Sequence, residues 1–148
     1  GIMSNKLDVI ATDHAPHTLE EKRNLYTKCP SGGPLVQHSL TAMLELVKKR
    51  VFTIEKVVEK MCHNPATLFS VENRGFIREG YFADLVLVDP NAPWTVRPDN
   101  ILYRCGWSPF EGDIFSAKVT HTIVNGRLVY ENGIFDETVK GTSLQFNK

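Results

Sequence analysis

The sequence predicts an α/β chain that runs strand, long loop and helix in its first half and is mainly β thereafter. Three observations carry that expectation. An apolar run with β-branched members over residues 7–12 stops abruptly at Asp13. Leu40, Met43, Leu44, Val47 and Val51 then fall at helical spacing. Near the end, "KVTHTIVNGRLVYENGIF" places Asn125-Gly126 between two β-rich runs, the signature of a two-residue hairpin turn.

Taken in order, residues 7–12 read as a short buried strand. A strand that is apolar on both faces needs neighbours on each side, so the start reads as a cut edge rather than a natural terminus. Residues 13–34 form a polar loop of a length that usually carries function. The helix after it ends in Lys48, Lys49 and Arg50, cations suited to the negative end of its dipole. Thr53 is expected to cap a second helix with Ile54, Val57, Val58, Met61 and Cys62 on one face. "HNPATLF" restarts the chain, with Asn64 as N-cap and Pro65 at the first helical position. Residues 85–88 read as a strand, a proline-punctuated segment follows through Pro90, Pro93 and Pro98, and Asn132-Gly133 offers a further turn. Two units are expected, residues 1–70 and 71–148.

Composition excludes several partner classes. Lys+Arg 17 against Asp+Glu 17 leaves no basic excess for a nucleic acid or an anionic membrane. No run reaches the length of a membrane span, and "GIMSNK" is no signal peptide. Cys29, Cys62 and Cys105 form no C-x-x-C pair and read as reduced thiols, which gives a cytoplasmic expectation.

The chemistry-bearing stretch is "DVIATDHAPHT", residues 8–18. In parallel α/β folds sites gather at the carboxyl ends of strands, where Asp13 is expected. A carboxylate there can hold a metal through one oxygen and accept a proton. His17 can donate to an anionic substrate group, and the glycines of "PSGGP" can offer it backbone N–H groups. Spacing alone favours a self-bonded loop over a ligand set, because a strict signature such as H-E-x-x-H is absent. His38, His63 and His121 read as surface or capping residues. Trp94, Trp107 and Phe110 read as packing aromatics, "EEKR" as a solvated loop tip, with a substrate contact by Lys22 or Arg23 as the lesser alternative, and Cys29 as a bystander.

"TDHAPHT" also resembles a motif of the dihydroorotases, within the amidohydrolase superfamily. "HNPATLF", "GFIREGYFADLVLVDP", "SPFEG" and "KVTHTIVNGRLVYENG" resemble the segments that follow it, in the same order. Hydantoinases and allantoinases share those later segments, while "TDHAPH" favours dihydroorotase. The resemblance implies the last strand-loop-helix unit of a metal-dependent (β/α)8 barrel, joined to strands of a small carboxyl-terminal β-sandwich. It implies that Asp13 is a metal ligand and proton shuttle, that His17 contacts the substrate carboxylate, and that the backbone of Ser31 and Gly32 touches the pyrimidine ring. Ser31 stands where a bulkier residue is common.

The implied reaction is reversible, zinc-dependent hydrolysis of dihydroorotate to N-carbamoyl-aspartate in pyrimidine biosynthesis. The family's binuclear zinc site needs an amino-terminal His-x-His pair, a bridging carbamylated lysine or carboxylate and two further histidines. This chain supplies only Asp13 and is expected to be inactive alone. Self-association, or a complex with aspartate transcarbamoylase, is the partner expectation. The alternatives are a hydantoinase or allantoinase relative, and a non-catalytic dihydroorotase-like scaffold subunit.

Overall fold

The computed structural model describes residues 1–147. A single helical turn, α1 (Leu19–Lys22), interrupts the long loop, capped by Thr18 and Glu21 in a reciprocal box. The first predicted helix is α2 (Ser39–Lys48). Arg50 at φ 58° ends it, with Val51 N–H returning to Leu46 O, so Val51 lies beyond the helix rather than on its face.

Thr53 caps α3 (Ile54–Val58) as predicted, accepting from Lys56 N–H. The expected break at Asn64 does not occur. A π-helical turn over Glu59–His63 carries α3 directly into α4 (Asn64–Leu68). The wider turn lets Pro65, which has no N–H to donate, sit inside a continuous rod. Asn64 is itself helical, and its side-chain amide donates to Asp8 O at 2.7 Å instead of capping. Val57 is buried, whereas Cys62, within the π turn, is exposed.

The second half holds a four-stranded antiparallel sheet of order β1-β4-β5-β6. Its strands are β1 (Leu85–Asp89), β4 (Lys118–Val124), β5 (Arg127–Glu131) and β6 (Ile134–Phe135). Asn125 and Gly126 at φ 52° and 77°, then Asn132 and Gly133 at 47° and 98°, make the two predicted tight turns. A separate pair, β2 (Trp94–Thr95) and β3 (Ile114–Phe115), brackets residues 96–113.

Residues 7–12 differ from expectation. They are extended but belong to no sheet among the described residues, and Leu7 is exposed. The segment is tethered to the helical rod instead, through Ile10 N–H to Lys60 O at 3.0 Å and through the Asn64–Asp8 bond. A strand is a pairing relation as much as a conformation, and among the described residues no strand lies alongside to complete the ladder.

Residues 96–113 act as a strap over the first half. Gln37 takes Leu102 N–H on its side-chain oxygen and gives its amide to Asn100 O, each at 2.8 Å. The Tyr103 hydroxyl donates to Pro34 O at 2.8 Å. Beneath the strap lies an aromatic nest of Trp94, Phe110 and Phe115 around His38. Glu45 of α2 accepts from both the backbone N–H and the hydroxyl of Ser116.

Candidate active site

Asp13 sits where the tethered segment turns into the long loop. Its φ of 46° is left-handed, a conformation that aspartate tolerates at a cost of about 1 kcal/mol. The turn leaves the residue exposed at the loop's start. His14, next to it, is spent on structure. Its Nδ1 lies 3.4 Å from Val36 N–H, and its ring meets Tyr103 edge-on at 5.3 Å.

The structure brings the Asp13–His17 stretch against the Ser31–Gly33 stretch. Ala15 N–H donates to Gly33 O at 3.0 Å. Gly32 adopts φ 79°, and a methyl group on it would stand 2.7 Å from the Ala15 Cβ. The two stretches therefore pack backbone to backbone, which only glycine permits at residue 32. Ser31 and Gly32 are both exposed beside this contact.

His17 is fixed through its main chain. Its N–H reaches Ala15 O at 2.9 Å, and the Trp107 indole donates to its carbonyl at 2.8 Å. The imidazole is half-exposed, with Nδ1 3.7 Å from a Glu21 carboxylate oxygen. Glu21 is held below the ordinary carboxylate range, chiefly by Thr18 N–H, then by the Thr18 hydroxyl, with smaller help from His17. It therefore offers a steady negative charge that steers the ring.

Lys22, read from sequence as part of a solvated tip, turns inward. Its Nζ donates to Pro30 O at 2.6 Å and to Gly32 O at 2.9 Å. Cys29 approaches Lys22 O at 3.4 Å, and all three cysteines are free.

His38 also departs from expectation. It is fully buried, with Nδ1 3.1 Å from the Ser108 hydroxyl and Nε2 without a partner. Burial pushes its pKa down, so it is held as a neutral imidazole. The residues that bury it lie more than fifty positions downstream, beyond the reach of local pattern. His63 stacks on Phe76 at 4.3 Å, and His121 lies 3.2 Å from Glu131. Both have structural partners.

Among the described residues, no three His, Cys, Asp or Glu side chains converge as metal ligands. Asp13 is a single oxygen donor, and a catalytic zinc ordinarily takes three protein ligands. These residues by themselves do not fit a metal centre. A groove of about 1010 Å³ between Trp94 and the sheet is lined by none of Asp13, His17, Ser31 or Gly32. Among the described residues, no helix is long and apolar enough to cross a membrane.

The chain is 41% identical to the dihydroorotase of Pyrococcus furiosus over 127 residues, 86% of this chain and 30% of that protein. It is 40% identical to the dihydroorotase of Clostridioides difficile over 131 residues, 88% of this chain and 30% of that protein. Among solved structures, the L-hydantoinase of Arthrobacter aurescens superposes with a TM-score of 0.82 at 28% identity, covering 90% of this chain and 31% of that one. The chain thus spans about 30% of the length of the curated relatives it matches. The model of the Amidohydrolase family matches residues 2–129, which take in the Asp13 loop, the helices, the strap and most of the sheet. On that match the chain belongs to the amidohydrolase family.

Proposed function

We propose that these residues form the substrate-loop side of a zinc-dependent dihydroorotase, acting on dihydroorotate and N-carbamoyl-aspartate. The observation that carries this reading is the docking of the Asp13–His17 stretch onto the Ser31–Gly33 stretch through Ala15. It brings the stretch that carries Asp13 and His17 into backbone contact with the stretch that carries Ser31 and Gly32. In this reading residues 1–70 complete a (β/α)8 barrel and residues 71–148 contribute to a β-sandwich. Asp13 is one ligand of a binuclear zinc site whose other ligands lie outside this chain, so the 148 residues alone are inactive.

Each side chain has a defined task. Opening the ring adds water to a cyclic amide carbonyl and breaks its C–N bond, which moves one proton onto the departing nitrogen. The Asp13 carboxylate accepts that proton from water and returns it to nitrogen. His17 donates to the substrate carboxylate, steadied by Glu21, while backbone N–H groups of the 31–33 loop hold the ring. The likeness to a hydantoinase structure supports a second reading, a related cyclic amidohydrolase acting on hydantoins or allantoin. The sheet exposes Val86, Leu87, Leu128, Ile134 and Phe135, which supports self-association as the partner reading.

The test uses the intact polypeptide that carries these residues. Asp13→Asn should abolish dihydroorotate hydrolysis while zinc content and folding are followed in parallel. A D13N protein that still turns over, or a wild type that prefers hydantoin or allantoin, would overturn the dihydroorotase reading.

A further inference from the structure

Lys22 carries an inference that rests on the dihydroorotase reading for its kinetic consequence but not for its geometry. The ammonium group donates to Pro30 O and Gly32 O at 2.6 and 2.9 Å, and among the described residues no carboxylate lies within ion-pair distance of it. Its charge is thus directed onto two peptide carbonyls of the PSGGP loop.

A trans peptide unit points its C=O and N–H in opposite directions. Drawing Pro30 O towards Lys22 therefore turns Ser31 N–H away from it, and drawing Gly32 O inward does the same for Gly33 N–H. Among the described residues neither N–H has an intramolecular acceptor. Two unspent donors on the side of the loop away from Lys22 suit an oxygen of an anionic or carbonyl-bearing ligand. A cation on the carbonyl side also polarises each peptide and strengthens its N–H as a donor.

We propose that Lys22 is the positioning residue that aims the Ser31 and Gly33 amides at the substrate, without touching the substrate itself. Its place in the sequence is consistent with that role. The Thr18–Glu21 capping box fixes the turn that carries Lys22, and the same Glu21 steers His17. One helical turn thereby sets both the imidazole and the loop amides.

The experiment compares wild type, Lys22→Met and Lys22→Arg in the intact polypeptide, by dihydroorotate kinetics and by hydrogen exchange of the peptide containing Ala15. Met keeps the stem without a donor, whereas Arg can still donate to two carbonyls. K22M should raise KM about tenfold with kcat within about threefold, since the lost contacts hold substrate and transition state alike. K22R should recover most of that loss. Exchange at Ala15, whose N–H is held by Gly33 O, should quicken in K22M. An unchanged KM, failure of Arg to recover it, or unaltered exchange would each overturn the proposal. So would an equal fall in kcat and melting temperature in both variants, which marks a structural residue only. Should wild type hydrolyse no dihydroorotate, the dihydroorotase reading falls, and exchange alone then decides: quickened exchange sustains the clasp and unchanged exchange removes it.

Discussion

Substituting Gly32 by alanine tests whether the two loop stretches must touch. Two costs are separable. The residue sits at φ 79°, where an L side chain costs about 1–2 kcal/mol. The new methyl would lie 2.7 Å from the Ala15 Cβ, well inside ordinary carbon–carbon contact. Moving that pair to about 3.5–4.0 Å displaces one stretch by roughly 1 Å, and such overpacking costs about 1–3 kcal/mol. A displacement of that size beside a reacting group can lower kcat/KM by about a hundredfold. The assay is dihydroorotate hydrolysis by the intact polypeptide, with G32A, Ala15→Gly and the double variant measured as a cycle. Ala15→Gly removes the opposing methyl, so the double variant should recover the contact part of the loss and retain the conformational part. A neutral G32A, or a double variant no better than G32A, would refute the packing argument.

Two further outcomes follow from the fold. His38 is held neutral by burial, with a folded pKa below its ordinary 6.5, so the unfolded chain takes up more protons in mild acid. Its contribution is therefore complete above that pH and is lost progressively as pH falls below it. Denaturation midpoints measured against pH should drop on that limb in wild type and flatten in His38→Phe, and parallel limbs would refute this. Gly75→Ala should destabilise more than G32A, because its Cβ would meet Ala66 Cβ at 2.4 Å and the Cys62 carbonyl oxygen at 2.8 Å on the continuous helical rod. A melting temperature within about 2 °C of wild type would show that the crossing is looser than described.

The features legible in the sequence were those set by neighbouring residues. The Thr53 cap, both Asn-Gly turns and the β1 run each depend on a few consecutive side chains, and all are present. The Asp13 and Gly32 stretches were legible as motifs, but their contact was not, because it is a close approach between residues seventeen or more positions apart. His38 was misread because it stands at a helix start, while Trp94, Phe110 and Phe115, which bury it, lie far downstream. Lys22 was misread because "EEKR" carries the composition of a solvated tip, and the inward turn depends on the carbonyls of Pro30 and Gly32. The strand expected over residues 7–12 depended on partners that local pattern cannot supply.

The bond from the Trp107 indole to the His17 carbonyl spans 90 positions of sequence. A ribosome extends a chain by roughly 5–20 residues per second, so Trp107 is made roughly 5–18 s after His17. For that interval the loop bearing His17 has neither its indole donor nor the strap that covers Pro34. The anchoring of the His17 loop is therefore complete only once Trp107 has been made. A chain stopped anywhere between residues 18 and 106 would carry the whole DHAPH motif and still lack the indole that holds the His17 carbonyl.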